Sequence, residues 1–206
     1  MKLEDLLVKK PTPVAVEEPV DVEIPDYLIN DPEPVGYPDT KMQDDIYRWA
    51  IEDLNLTGMN ILDVGAGRGD LFSVMPYVSS FHAFETTVGL CAAGKVKYGN
   101  SPIYNIYNED YLTTINAGIF DYGFCIGTLN SIQTTDKWNM FVKVFNQMWV
   151  DCKVGLIFIV NTGSDEAGNT GFPFSELFTN LIVGEDKPFK LDYSKYEGIY
   201  KLRFLK

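Results

Sequence analysis

Apolar positions recur along the chain in two spacings, and the two alternate. From Thr40, Met42, Ile46, Trp49, Ala50 and Leu54 repeat at helical intervals. Thr40 reads as an N-cap with Gln43 three residues on, a capping-box pattern, and "NLTGMN" ends the helix. Residues 60–64 read as a strand. The glycine-rich stretch "GAGRG" follows, then a helix predicted from about Arg68 to residues 76–80. Residues 81–85 form a second short strand, and "TVGLCAAGKVKYG" is a helix stopped at Gly99. Strands are predicted at 103–107 and 120–126. Beyond them, Trp138, Phe141, Val142, Phe145, Met148 and Trp149 mark one face of an amphipathic helix. The unbroken apolar run 154–160 suits a strand covered on both faces. A polar loop, "NTGSDEAGNTG", leads to a short helix near 174–182. The chain closes with two strands around a turn near 194–198.

This alternation predicts an α/β fold: a doubly wound, mostly parallel seven-stranded sheet, Rossmann-like, with helices on both faces and an antiparallel C-terminal hairpin. No internal repeat and no second domain is visible. Residues 1–39 stand apart, rich in proline and acids with little apolar periodicity. They read as an extended arm preceding a domain at 40–206. "VAVEEPVDVEIP" offers an irregular strand to a protein partner or to its own domain.

Charge narrows the partners. A net charge of −12 over 206 residues argues against nucleic acid, whose non-specific binding is driven by Lys and Arg, and against anionic membrane surfaces. The three cysteines, Cys91, Cys125 and Cys152, are odd in number and widely spaced, so they read as reduced core thiols rather than disulfides or metal ligands. "MKLEDLLVKK" carries acids and no long apolar run. A secretory signal, a membrane span and a bound metal are not expected, and a cytoplasmic setting is.

The glycine loop carries the chemistry. In an open α/β sheet, ligands bind outside the carboxyl ends of the strands, where "LDVGAGRGD" sits. A dinucleotide fingerprint needs a third small residue where this chain has Asp70, and a carboxylate there would repel a pyrophosphate. The same charge, with Asp63 before the loop, suits a ligand carrying an ammonium and a sulfonium.

At these residues the sequence resembles the class I S-adenosylmethionine-dependent methyltransferases, over about residues 42–206. Asp63-Val64-Gly65-Ala66-Gly67-Arg68-Gly69 matches that family's acid-x-G-x-G-x-G motif. The resemblance implies that Asp63, Gly65, Ala66, Gly67 and Gly69 line S-adenosylmethionine and that Glu85 takes its ribose hydroxyls, with Thr86 beside it. It further implies that Asp110 meets the adenine amino group, with Asn108 and Glu109 as substitutes, and that Tyr111 lines the ring. Ile126 and Gly127 would face the donor methyl. The short chain resembles small phage or bacterial members. It lacks the Asp/Asn-Pro-Pro-aromatic motif of amino-methylating DNA enzymes, having Ile126-Gly127-Thr128-Leu129-Asn130 there, and it has no Pro-Cys nucleophile.

Thr128 and Asn130 are the candidate catalytic residues, able to hydrogen-bond an acceptor or to cap the next helix. His82 reads as structural. Arg68 either meets a ligand carboxylate or faces solvent. Tyr37 reads as part of a lid and Trp49 as core. Two functions fit: methyl transfer to a small-molecule or protein acceptor, or a methyltransferase-fold binding module held to an assembly by the arm. Loops 127–137 and 161–174 and the arm would select the acceptor. A nicotinamide-dependent oxidoreductase is disfavoured by Asp70.

Overall fold

The computed structural model describes residues 23–75, 77–114, 119–131, 137–162 and 189–206, without the side chains of Asn130, Ser131 and Phe189. The helix expected at 174–182 and most of the polar loop before it lie outside the described residues.

Seven strands form one sheet in the order β3-β2-β1-β4-β5-β7-β6. They are β1 (Asn60–Val64), β2 (Ser80–Phe84), β3 (Tyr104–Tyr107), β4 (Phe120–Ile126), β5 (Cys152–Asn161), β6 (Phe189–Tyr193) and β7 (Ile199–Leu205). Strands β1 to β5 are mutually parallel, β7 runs antiparallel to β5, and β6 antiparallel to β7. The expected parallel sheet and closing hairpin are therefore present. Five helices accompany the strands among the described residues: α1 (Asp26–Asn30), α2 (Thr40–Ile51), α3 (Val88–Tyr98), α4 (Thr128–Ser131) and α5 (Lys137–Asp151).

Alternation along each strand splits the core in two. Ile61, Phe81, Ala83, Phe124 and Ile157 pack beneath α2 and α3 with Ile46, Ala50 and Cys91. Leu62, Val64, Phe84 and Phe158 pack on the other face against Phe141, Phe145 and Met148 of α5. Each fully buried side chain of this size contributes about 1.5–3 kcal/mol of transfer free energy. Cys91, Cys125 and Cys152 are free and buried. Among the described residues no helix is long and apolar enough to cross a membrane.

Three local expectations change. Asp39, not Thr40, caps α2; its carboxylate accepts from Met42 N at 2.7 Å, where an acid also meets the helix dipole. After the glycine loop the chain forms only a 3-10 helix, Asp70–Val74. Pro76 disfavours helical geometry at the residue before it, and Met75 adopts φ −120° and ψ 58°. The third change concerns the arm. Residues 26–30 form α1, which packs on α3, and Glu33–Val35 form a 3-10 turn. This last stretch of the Pro-rich segment is folded onto its own domain.

Helix α3 approaches the glycine loop at Gly94. A Cβ there would lie 2.5 Å from the Arg68 carbonyl and 2.7 Å from the Tyr104 hydroxyl. Backbone cannot yield as a flexible side chain can. Gly94→Ala is expected to destabilise the protein by about 1–3 kcal/mol, read from chemical denaturation.

Candidate functional site

The strand order reverses between β1 and β4, so a crevice opens beyond their carboxyl ends. Both walls of that crevice are short loops. On the β1 side, Gly65, Gly67 and Gly69 take φ of 66°, 59° and 71°, left-handed values that side chains resist. Gly65 is further constrained, because an added Cβ would fall 2.1 to 2.6 Å from Thr128 side-chain atoms. On the β4 side, the Thr128 hydroxyl donates to Val64 O at 3.0 Å and Gly65 O at 2.9 Å, tying the two walls together.

Glu85 fixes the loop from β2. One carboxylate oxygen accepts from Gly67 N at 2.9 Å and the other from Thr87 N at 2.7 Å. Phe84 O receives Gly65 N and Ala66 N. Each Glu85 oxygen keeps a lone pair for an incoming hydroxyl. Asn108 supports this turn from β3, donating to Glu85 O and Thr86 O.

A cavity of about 470 Å³ lies over these loops, within the range of small-molecule sites. Gly65, Ala66, Gly67, Glu85, Thr87, Ile126, Gly127 and Thr128 line its floor. Glu33 to Tyr37 of the arm and Met42, Ile46 and Tyr47 of α2 cover it. Tyr37 meets Tyr47 edge to face with ring centroids 5.6 Å apart. Tyr37 lines the cavity. Glu33, Val35, Gly36 and Thr87 are wall residues that the sequence reading missed. Only the turn-forming "EPVG" hinted that the arm folds back there.

Asp63 sits one step below this floor, on the α2 face by strand alternation. Burial, then Glu85 and Asp70, push its carboxyl up to about 8, and no hydrogen bond from the described residues offsets them. A buried carboxyl left this way has a strong preference for a nearby cation.

Asp70 and Arg68 behave differently from expectation. Asp70 does not face the cavity; Arg68, Lys97, Tyr98 and Gln43 all donate to it. Burial would raise its proton affinity, but the Lys97 hydrogen bond and the Arg68 and Lys97 charges hold it below the usual carboxylate range. Its charge is spent internally, so it neither repels a phosphate nor recruits a cation. Arg68 is fully buried, neither solvent-facing nor in the cavity. Its Nη1 donates to the arm carbonyls of Leu28 at 3.0 Å and Asp31 at 2.6 Å, while Nε and Nη2 hold Asp70.

Four further assignments part from the cavity. Gly69 is not among its lining residues, and a Cβ added there would meet the Tyr104 side chain. Tyr111 is buried on the opposite face, donating to Asp151 Oδ2 at 2.6 Å. Asp110 caps the 3-10 turn Tyr111–Thr113 through Leu112 N, and neither residue lines the cavity. Thr86 is exposed, and Thr87 takes the wall position instead. Tyr111→Phe is therefore expected to cost about 1–3 kcal/mol of stability, by leaving Asp151 short of a donor, while ligand affinity at the cavity stays unchanged. Denaturation and titration of one variant separate the two. The Asn130 side chain lies outside the described residues. His82 pairs with Tyr107 through Nδ1 at 3.1 Å, away from the cavity, and burial lowers its proton affinity. No cluster of metal-ligating side chains occurs among the described residues.

No family model matches the chain, and no curated protein matches it in sequence. Solved structures do match in fold. Magnesium protoporphyrin IX methyltransferase from Synechocystis PCC 6803, with bound SAM, is 14% identical with a TM-score of 0.57, over 81% of this chain and 78% of that one. N-methyltransferase NodS from Bradyrhizobium japonicum WM9 is 12% identical with a TM-score of 0.61, over 82% and 99%. An S-adenosyl-L-methionine-dependent methyltransferase, so far assigned only putatively, from Methanococcus maripaludis is 13% identical with a TM-score of 0.59, over 78% and 83%. By these likenesses the chain has the fold of the class I S-adenosylmethionine-dependent methyltransferases.

Proposed function

We propose that the protein binds S-adenosylmethionine and transfers its methyl group to a small-molecule or protein acceptor. The observation that carries this reading is Glu85, pinned by Gly67 N and Thr87 N with lone pairs left over, beside the buried and unpaired Asp63. One carboxylate suits two ribose hydroxyls; the other suits an ammonium. The cavity wall carries Glu33 and Glu85 and, among the described residues, no Lys, Arg or His. That wall is hostile to a pyrophosphate. The glycine loop also leads into a 3-10 helix of only five residues, too short to offer a dinucleotide the dipole of a full helix. This reasoning replaces the one based on Asp70.

S-adenosylmethionine supplies a methyl carbon already activated by its sulfonium. An acceptor lone pair forms the new bond to that carbon as the carbon–sulfur bond breaks, and any acceptor proton leaves to solvent. Positioning and water exclusion are the protein's part. Gly65 to Gly67 bring backbone close, Glu85 and Asp63 fix orientation, and the arm and α2 exclude water. The Thr128 hydroxyl already donates to two carbonyls, so its role is to hold the crevice walls.

The alternative, a module tethered by its arm, is weakened because residues 26–30 pack on α3 and residues 33–37 line the cavity. Residues 1–22 remain the segment a partner would use. Incubation with methyl-labelled S-adenosylmethionine and fractionated cell extract tests transfer. Label appearing in an acceptor, and lost in Glu85→Ala, is the expected result. No transfer by a protein that binds the cofactor would favour the binding module.

A further inference from the structure

The geometry points to an acceptor subsite over β5 and β7 that takes a neutral, largely apolar small molecule. This rests on the cofactor reading above. The cavity is lined by residues from β2, β1, β4, β5 and β7 in sheet order: Glu85, Gly65, Ile126, Ile159 and Ile199. Four strand spacings of about 4.8 Å put roughly 19 Å between its two ends. Its chemistry changes along that length. The β2 and β1 end holds Glu85, the glycine backbone and, below it, Asp63. Over β5 and β7 the lining is Ile159, Val160 and Ile199 with one polar residue, Asn161, and α2 adds Met42, Ile46 and Tyr47.

With the cofactor in the β2-to-β4 half, about 10 Å of mainly apolar cavity remains beyond the donor methyl. An apolar wall discriminates by area removed from water, at about 25 cal/mol per Å². A carboxylate or phosphate would find no cation among the described lining residues to offset its desolvation. Size follows from the roof. Residues 33–37 and α2 cover the cavity, which favours a free small molecule over a residue on a folded protein. The substrate class is a neutral phenol, aniline or similar nucleophile on an apolar body.

Calorimetry on the full chain, saturated with S-adenosylhomocysteine, tests this with two probes of one shape: 4-propylphenol and 4-hydroxyphenylpropionate. The expected result is saturable binding of 4-propylphenol and at least tenfold weaker binding of the carboxylate. Met42→Glu places a charge at the half-buried roof without touching the sheet. Its loss of 4-propylphenol affinity should exceed any loss of S-adenosylhomocysteine affinity by at least tenfold. Equal binding of the two probes, no binding of either, competition with S-adenosylhomocysteine, or an unaffected Met42→Glu would each overturn the subsite. Failure to bind S-adenosylhomocysteine at all would instead overturn the cofactor reading, so the two failures are distinct.

Discussion

Replacing Arg68 by methionine is expected to lower the melting temperature by about 6–20 °C and to free the arm. Arg68 is wholly buried and bonded on both sides of its guanidinium. Removing one member of a buried ion pair costs about 3–5 kcal/mol, and each kcal/mol shifts a domain of this size by about 2–4 °C. Asp70 keeps Lys97, Tyr98 and Gln43, which places the loss toward the lower end. The arm has no such reserve: the carbonyls of Leu28 and Asp31 lose their shared donor. Limited proteolysis within residues 23–39 should therefore accelerate more than global unfolding explains. Arg68→Lys sharpens the test, because an ammonium cannot reproduce the planar fork that grips Asp70 and the arm together. Retained arm protection in Arg68→Lys would contradict the clasp.

Asp63→Asn should abolish a pH dependence. The folded carboxyl stands near 8, against an unfolded value of about 3.9, so between those pH values the folded protein binds the extra proton. Stability of the free wild-type protein should fall as pH rises from about 4 to about 8, by at most about 6 kcal/mol at 1.36 kcal/mol per unit. Asparagine mimics the neutral carboxyl, so the variant's profile should flatten and its melting temperature at pH 9 should exceed the wild type's. Cofactor affinity should move the other way. An ammonium beside Asp63 favours the charged form, so binding should release close to one proton between pH 5 and 8 and tighten as pH rises. Calorimetry in two buffers of different ionisation enthalpy reads that proton. In Asp63→Asn the release should vanish and affinity should fall at least tenfold.

The sequence was informative where a residue's task follows from period or spacing. Continuous and alternating apolar runs placed the strands, and the glycines with Glu85 placed the crevice, because backbone geometry demands those residue types there. Partnerships that depend on three-dimensional accident were not legible. Nothing in "GRGD" says that Arg68 and Asp70 turn inward and pair while Arg68 also holds two carbonyls about forty residues earlier in the chain. Proline and acid content marked residues 1–39 as an extended arm, whereas 26–30 form a helix and 33–35 a 3-10 turn. It could not show that backbone carbonyls would anchor them. Tyr111 went astray because a single 3-10 turn decides which face of the sheet it meets, and Asp151 lies forty residues away.

The most direct test of the central claim is calorimetric titration of the full chain with S-adenosylmethionine and S-adenosylhomocysteine, with NAD as control. Micromolar binding of both, absent for NAD and lost in Glu85→Ala, is the predicted result. A folded protein that binds neither, or that binds NAD through Glu85, would contradict the account.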